Sequence, residues 1–221
     1  MNDPFSRDIF RTARFFLGAF VYSFGVVTTM RANIGYSPWF VFHHGVGLHL
    51  GITIGQATML VSVIIVAIGV LAKESVGFGT IGNTIFIGIF VDIIASWSWF
   101  PLMQSFVSGV AVMLGGFFFI AIGSVLYIGA GYGAGPRDTF MVVVTKRSGK
   151  PVGFCRGCIE STVLLAGWLL GGYAGLGTII SAFGIGVVIQ IVFSALRFDV
   201  KKIRQESFYE TFLRLKNALV S

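Results

Sequence analysis

The chain has 221 residues, of which 55% are hydrophobic and 11% are charged, and its mean hydropathy is +0.87. Soluble domains carry about 25% charged residues, so this composition excludes a soluble globular protein. The net charge of +7 does not indicate a nucleic-acid partner, because the basic residues lie between apolar runs, where they act as topology signals. We therefore expect a single all-α polytopic protein in a lipid bilayer.

The first apolar run, Phe15 to Met30, follows a polar and basic lead-in. After the break Gly35-Tyr36-Ser37-Pro38 comes an apolar piece that ends at Leu50. It is too short to cross a bilayer, since a crossing needs about 20 residues, and Pro38 suits the first turn of a helix. We predict a short interfacial or re-entrant helix here. Two further spans follow, from Ile54 to Ala72 and from Thr80 to Trp97.

The second half repeats the first at an ungapped offset of 98 residues, as from Gly35 to Gly133 and from Pro38 to Pro136. Such a register indicates an internal duplication. We assign residues 1–98 to the first repeat, 99–196 to the second and 197–221 to a tail. The elements predicted in the second repeat are spans from Gln104 to Ile128, Val152 to Leu170 and Thr178 to Leu196, and a short helix from Pro136 to Thr145.

The tail is polar but carries apolar residues on one helical face. This pattern predicts an amphipathic helix that lies on the membrane surface or on a partner. The residues of that face are Phe208, Phe212, Leu215 and Leu219.

Charge and span number predict the topology. With the N-terminus in the cytoplasm, every basic residue except Arg31 lies on the cytoplasmic side. Three crossings per repeat then make the second repeat enter the membrane from the opposite side. Counting the short helices as crossings would move the Lys146–Lys150 cluster across the membrane. We therefore predict a 3+3 inverted repeat in the bacterial cytoplasmic (inner) membrane, with both termini cytoplasmic, a plan typical of transporters.

Ionisable residues within spans are energetically costly, so they are candidates for functional groups. Glu160 lies near the middle of the fifth span, and Arg156 lies one helical turn earlier. These two residues form either an ion pair that fixes packing or a substrate or proton site. Asp92 has no cationic neighbour in the sequence and is a second candidate for proton coupling, unless it faces the outer interface.

The second set of candidates lies at the two breaks. Arg137 and Asp138 follow Pro136 at the start of the second short helix, where free N–H groups and the helix dipole favour an anion such as a carboxylate or phosphate. Trp39 and Phe40 occupy these positions in the first repeat, so the two sites are not equivalent. The candidates at the first break are Arg31, Asn33 and Ser37.

No arrangement of residues indicates catalysis or a tightly bound group. Ser161 beside Glu160 is a dipeptide and not a triad, and the Gly-x-Gly patterns lack the context of a nucleotide-binding loop. His43 and His44 are consecutive, so on a helix they do not form a ready chelate. We expect no enzyme activity, no cofactor and no metal.

These motifs resemble a family of bacterial integral membrane proteins, the YczE/YyaS/YitT-like group. The resemblance covers residues 15–195 and is carried by Met30 to Trp39, Gly77 to Thr80, Gly131 to Asp138, Arg156 to Glu160 and Gly167 to Thr178. The family's usual acid after Ser-Pro-Trp is replaced here by Phe40, which argues against a two-fold symmetric pair of acids. The resemblance implies a transporter group, some of whose members are linked to lipopeptide production.

The sequence thus favours a transporter or exporter of a small anionic or amphipathic molecule, bound between the two repeats. One alternative is the substrate-binding membrane subunit of an ATP-driven uptake system. Another is a non-transporting accessory protein that holds a biosynthetic enzyme at the membrane through residues 199–221. The expected partners are the bilayer and a small-molecule substrate, and a homodimer is an open alternative to a monomer.

Overall fold

The structure is a computed structural model that describes residues 4–74, 76–133, 135–207 and 210. Within these residues it contains eight α-helices, one 3-10 helix and no β-strand, which confirms the all-α fold. Six helices are long and apolar enough to cross a membrane, whereas α2 and α6 have 13 residues each. The helices are α1 (Pro4–Arg31), α2 (Pro38–Leu50), α3 (Ile54–Leu71), α4 (Phe78–Ala95), α5 (Phe106–Gly129), α6 (Pro136–Ser148), α7 (Val152–Leu169) and α8 (Leu176–Ala195).

The first helix begins earlier than the sequence predicts. It starts at Pro4, not Phe15, and has 28 residues, so the polar lead-in is helical and the first span is not short. Its basic residues are held by distant partners. The Arg11 Nε donates to the Ala130 carbonyl at 2.9 Å, and its Nη1 lies 2.9 Å from the Glu206 carboxylate. These contacts stabilise a helix in a segment whose composition alone does not indicate one.

The amphipathic helix predicted for the tail lies outside the described residues. The described part of the tail turns back onto the loop that follows α5. The Glu206 backbone N–H donates to the Gly131 carbonyl at 2.9 Å, and the Gln205 side chain accepts the Gly133 backbone N–H at 3.0 Å. The start of the tail is therefore packed against the second break.

The helix bounds follow the 98-residue offset. Both α6 and α7 begin and end 98 residues after α2 and α3, α8 begins 98 residues after α4, and α5 ends 98 residues after α1. The two breaks also share a backbone conformation, because Gly35 has a φ of 118° and Gly133 a φ of 117°. L side chains avoid this region, so glycine is required at both positions.

The two halves pack together along α1 and α5 through glycines. A Cβ added to Gly25 would lie 2.6 Å from the Ile120 backbone nitrogen, and one added to Gly123 would lie 2.5 Å from the Tyr22 nitrogen. Small residues let helix backbones approach closely, which is how helices associate within a membrane. The glycines of α1 and α5 therefore serve close helix packing. The core around them includes Val26, Val27, Met113, Phe117 and Ala121.

Contacts between the halves are reciprocal. The Gly177 N–H donates to the Ile34 carbonyl at 2.7 Å, and the Gly79 N–H donates to the Tyr132 carbonyl at 2.6 Å. Gly79 and Gly177 are 98 residues apart, as are Ile34 and Tyr132, so the two hydrogen bonds are equivalent under the repeat. Likewise α2 packs on α7, and α6 packs on α3. Such reciprocity is what a two-fold relation produces. The opposite orientation of the two halves in a membrane stays a prediction.

Candidate functional site

A cavity of about 440 Å³ lies between the halves and is lined by the first turns of both short helices. Most of the lining residues form pairs, in which a residue of the first repeat is matched by the residue 98 positions later in the second. The two halves therefore contribute equivalent positions to the cavity. These pairs are Tyr22 and Ile120, Ser37 and Gly135, Pro38 and Pro136, Trp39 and Arg137, Thr58 and Arg156, Ser62 and Glu160, Asn83 and Ser181, and Ile87 and Ile185.

The N-terminus of α2 reaches this cavity without a side-chain cap. Ser37 occupies the N-cap position in an extended conformation, and its hydroxyl makes no capping hydrogen bond. The first backbone bond of the helix runs from the Val41 N–H to the Ser37 carbonyl at 2.9 Å. The N–H groups of Trp39 and Phe40 therefore have no carbonyl in their own helix. These donors and the positive end of the dipole are available to an anion.

The N-terminus of α6 brings Arg137 and Asp138 to the same cavity. The Arg137 guanidinium carbon lies 4.9 Å from the centroid of the Trp39 ring and 5.3 Å from that of Phe40. Arg137 thus contacts its own counterpart in the first repeat, as residues beside a two-fold axis do. The aromatic faces hold the cation over the cavity.

The two charges at the start of α6 have different surroundings. The Asp138 carboxylate accepts a hydrogen bond from the Gly135 backbone, so it lies at the N-terminus of its own helix. There its negative charge interacts favourably with the positive end of the α6 dipole. Arg137 forms no ion pair within the described part of the chain. The positive charge of Arg137 therefore acts on the Asp138 carboxylate from nearby without a direct ion pair, and its guanidinium donors face the cavity.

Arg156 and Glu160 lie on the same wall of the cavity and pair with each other. The Arg156 Nε is 3.3 Å from the Glu160 Oε1, and both side chains line the cavity. The Arg156 side chain is 59% exposed and that of Glu160 is 27% exposed, so neither is sealed within the protein. The expected ion pair is thus present, and it lies at the cavity; a role of either residue in binding a substrate or a proton stays a prediction.

Arg31 and Asn33 lie away from the cavity lining. The Arg31 Nη2 donates to the Ala95 carbonyl at 2.6 Å and to the Trp97 carbonyl at 3.4 Å, so its charge meets the negative end of α4. The Asn33 Nδ2 donates to the Met103 carbonyl at 3.2 Å. Of the candidates from the two breaks, the structure therefore brings together Ser37, Arg137 and Asp138.

Asp92 is also placed outside the cavity lining, at the start of α3. Its Oδ1 accepts the Gly55 backbone N–H at 2.9 Å, and its Oδ2 accepts the Thr53 hydroxyl at 2.5 Å. The carboxylate of α4 thus caps the neighbouring helix. Its partners lie 37 and 39 residues away, which is why the sequence shows Asp92 without a partner.

Asn83 is a further polar residue of the cavity, and the sequence gives only a weak indication that it belongs to a binding site. It is 3% exposed, and its Oδ1 has no hydrogen-bond partner. Buried polar atoms are rarely unpaired, so a ligand or a water is expected to bind to it. The available signal was its position in an apolar span, matched by Ser181 98 residues later.

The two adjacent histidines of α2 have separate partners. The His43 Nδ1 lies 2.9 Å from the Thr58 hydroxyl in a fully buried position, whereas the His44 Nδ1 accepts the Tyr173 backbone N–H at 3.1 Å. No group of three or more possible metal ligands occurs among the residues searched, which are those that the structure describes. Through these contacts His43 and His44 join α2 to two different segments, and the buried Nε2 of His43 has no hydrogen-bond partner among the described residues.

Comparison of the sequence with known proteins places the chain in a family. The model of a family of unknown function, DUF6198, matches residues 9–194. The chain is 32% identical over 184 residues to the "Uncharacterized membrane protein YczE" of Bacillus subtilis, covering 82% of this chain and 85% of that protein. It is 33% identical over 159 residues to an uncharacterized protein of Haemophilus influenzae, covering 72% of each chain.

A more distant relative is the "Uncharacterized protein YyaS" of Bacillus subtilis, which is 23% identical over 182 residues and is covered over 88% of its length. No solved structure matches the chain. The matched region contains all six apolar spans apart from the ends of the first and last. The chain is therefore a membrane protein that belongs to the DUF6198 family, together with its YczE-like relatives.

Proposed function

We propose that this protein is a transporter of a small molecule with an anionic group, amphipathic molecules included, and that the cavity between its halves is the binding site. The observation that carries the proposal is the meeting of both short-helix N-termini at one cavity. In transporters built from inverted repeats, interrupted helices at corresponding positions of the two halves form the substrate site, and their N-termini face anionic groups.

The charges of the cavity favour an anion. Asp138 offsets the dipole of its own helix, and Glu160 offsets Arg156. What remains for an anion is Arg137 and the uncapped N-terminus of α2, whereas the unpaired Asn83 Oδ1 is an acceptor that suits a donor group of the ligand or a water. A carboxylate or phosphate placed there would gain charge-assisted hydrogen bonds, which are stronger than neutral ones.

The proposed orientation is an inverted repeat with both termini in the cytoplasm. Three spans in each half carry the chain across the membrane, so the second half begins on the opposite side. Contacts within the molecule support this assignment, because segments assigned to one side meet each other. Lys146 lies 2.8 Å from Glu74 among the cytoplasmic segments, and Asn33 donates to Met103 among the external ones.

The test of the site is Arg137→Gln. Hydrogen bonds to a charged group contribute about 1.5–3 kcal/mol, so the affinity for an anionic ligand should fall by roughly ten- to a hundredfold. Thermal-shift measurements on the purified protein against a panel of small carboxylates and phosphates identify a ligand, and titration of each variant gives its Kd. Arg147→Gln is the matched control, since it removes the same charge from the exposed last turn of α6.

Transport itself is tested with the purified chain in proteoliposomes. We expect uptake of the identified anion that Arg137→Gln reduces and Arg147→Gln leaves unchanged. Flux without any added protein also separates a transporter from a subunit of an ATP-driven system, because that subunit needs its partner. Equal binding by both variants, or binding without flux, would contradict the proposal.

A further inference from the structure

The two halves differ in the packing of their last two helices. In the first half α3 packs against α4. The equivalent helices of the second half, α7 and α8, have no comparable contact within the described part of the chain. The rest of the packing is reciprocal, so this contact is where the two halves differ most.

In the first half the contact of α3 with α4 is made by glycines and a carboxylate. A Cβ added to Gly55 would overlap the Gly88 carbonyl, and the Met59 side chain lies against Gly88. Asp92, one turn further along α4, accepts the Gly55 N–H at 2.9 Å. The small residues permit the close approach, and the carboxylate holds it.

The same glycines occur in the second half without neighbours. Gly153 and Gly186 lie 98 residues after Gly55 and Gly88, and a Cβ added to either would meet no atom within 4 Å. Gly157, at the position of Met59, is equally open. Gly153 and Gly186 thus match the packing glycines of the first half, but in this conformation they pack against nothing.

The uncovered face of α8 forms a groove, here called the α8 groove, with a volume of about 520 Å³ that includes Gly186 and Gln190. These residues correspond to Gly88 and Asp92, the face of α4 that α3 covers. Ile189 and Phe193 line both the α8 groove and the cavity between the halves. The groove and the cavity therefore lie next to each other along α8.

We propose that α7 closes onto the α8 groove, bringing Gly153 against Gly186 as Gly55 meets Gly88, while α3 separates from α4 at the other end. The inference rests on the inverted repeat of the proposed function. Exchanging the conformations of the two halves would close the cavity on one side of the membrane and open it on the other. The occupant of the α8 groove is thus a helix of the same chain.

The test measures two matched distances in nanodiscs by spin labelling. One pair joins the native Cys158 to Ile191→Cys, with Cys155→Ser. The other joins Leu60→Cys to Ile93→Cys, with both native cysteines changed to Ser. The four labelled positions are exposed, and the pairs are related by the 98-residue offset. We expect the α7–α8 pair to show a second, shorter distance equal to the main distance of the α3–α4 pair.

A blocking variant keeps the inference falsifiable. Gly186→Leu should abolish the shorter α7–α8 distance, whereas Gly115→Leu should retain it, since Gly115 also has nothing within 4 Å but lies on α5. A single long α7–α8 distance in the parent protein, or a short one that survives Gly186→Leu, would overturn the closure. Both distances are read without ligand, so a failed closure and a failed anion site are separate results.

Discussion

At the scale of single residues, the duplicated positions of the cavity keep their backbone places but differ in charge. The first repeat supplies uncharged side chains, and the second supplies all four charged ones. The cavity therefore combines symmetric backbone positions with an asymmetric pattern of charge. The changed positions are Trp39 to Arg137, Phe40 to Asp138, Thr58 to Arg156 and Ser62 to Glu160.

Glu160 is the residue on which proton coupling is predicted to depend. It lines the cavity and its only observed ion pair, within the described residues, is with Arg156. Replacing it with glutamine removes the titratable group but keeps the shape, so Glu160→Gln should abolish the pH dependence of uptake into proteoliposomes. Glu74→Gln is the control, because Glu74 pairs with Lys146 outside the cavity. Unchanged pH dependence in Glu160→Gln would remove this residue from the mechanism.

The α1–α5 contact allows a stability prediction for a single glycine. A Cβ at Gly123 would lie 2.5 Å from the Tyr22 nitrogen, which is backbone and cannot move aside cheaply. Overpacking costs about 1–3 kcal/mol, so Gly123→Leu should lower the Tm of the purified protein. Gly115→Leu, in the same helix but with open space around it, should change the Tm little. Equal effects of the two variants would exclude close packing as the reason for Gly123.

At the scale of helices, the cap that α4 provides to α3 leads to the next prediction. Asp92 accepts hydrogen bonds from Thr53 and Gly55, and loss of such a cap costs about 0.5–2 kcal/mol. Asp92→Ala should therefore lower the Tm and weaken the α3–α4 contact. Gln190→Ala, at the equivalent position of α8, is the control and should have a small effect. A larger fall in Tm for Gln190→Ala than for Asp92→Ala would contradict the described arrangement, in which α3 contacts α4 and α7 is apart from α8.

Helix positions were predictable where the sequence carries local signals. Pro38 and Pro136 mark the starts of α2 and α6, and glycine at the two breaks reflects a φ that other residues avoid. The early start of α1 was not predictable, because its basic residues are held by partners more than 100 residues away. Spatial partners likewise explain why Arg31 looked like an anion ligand and Asp92 like an unpaired acid.

The difference between the α3–α4 and α7–α8 contacts has only a partial sequence signal. Gly55 and Gly88 recur as Gly153 and Gly186, so the duplication predicts the same packing twice. The residues around these glycines differ, since Gly157 stands at the position of Met59 and Gln190 at that of Asp92. The cavity itself was predicted between the repeats, and the residues named for it from α6 and α7 do line it.

At the scale of the whole molecule, the account depends on two halves that insert in opposite directions. The reciprocal hydrogen bonds of Gly79 and Gly177 and the close packing of α1 on α5 relate the halves by a two-fold axis. If that axis lies in the membrane plane, the ends of α2 and α6 lie on opposite sides. If it lies along the membrane normal, they lie on the same side, and the transport interpretation is lost.

Labelling of single cysteines in intact cells with a membrane-impermeant thiol reagent distinguishes these cases most directly. The two positions are Leu50→Cys and Ser148→Cys, the exposed last residues of α2 and α6, each in a background with Cys155→Ser and Cys158→Ser. The inverted repeat predicts that position 50 reacts from outside and that position 148 reacts only after the membrane is permeabilised. Reaction of both positions from the same side would contradict it.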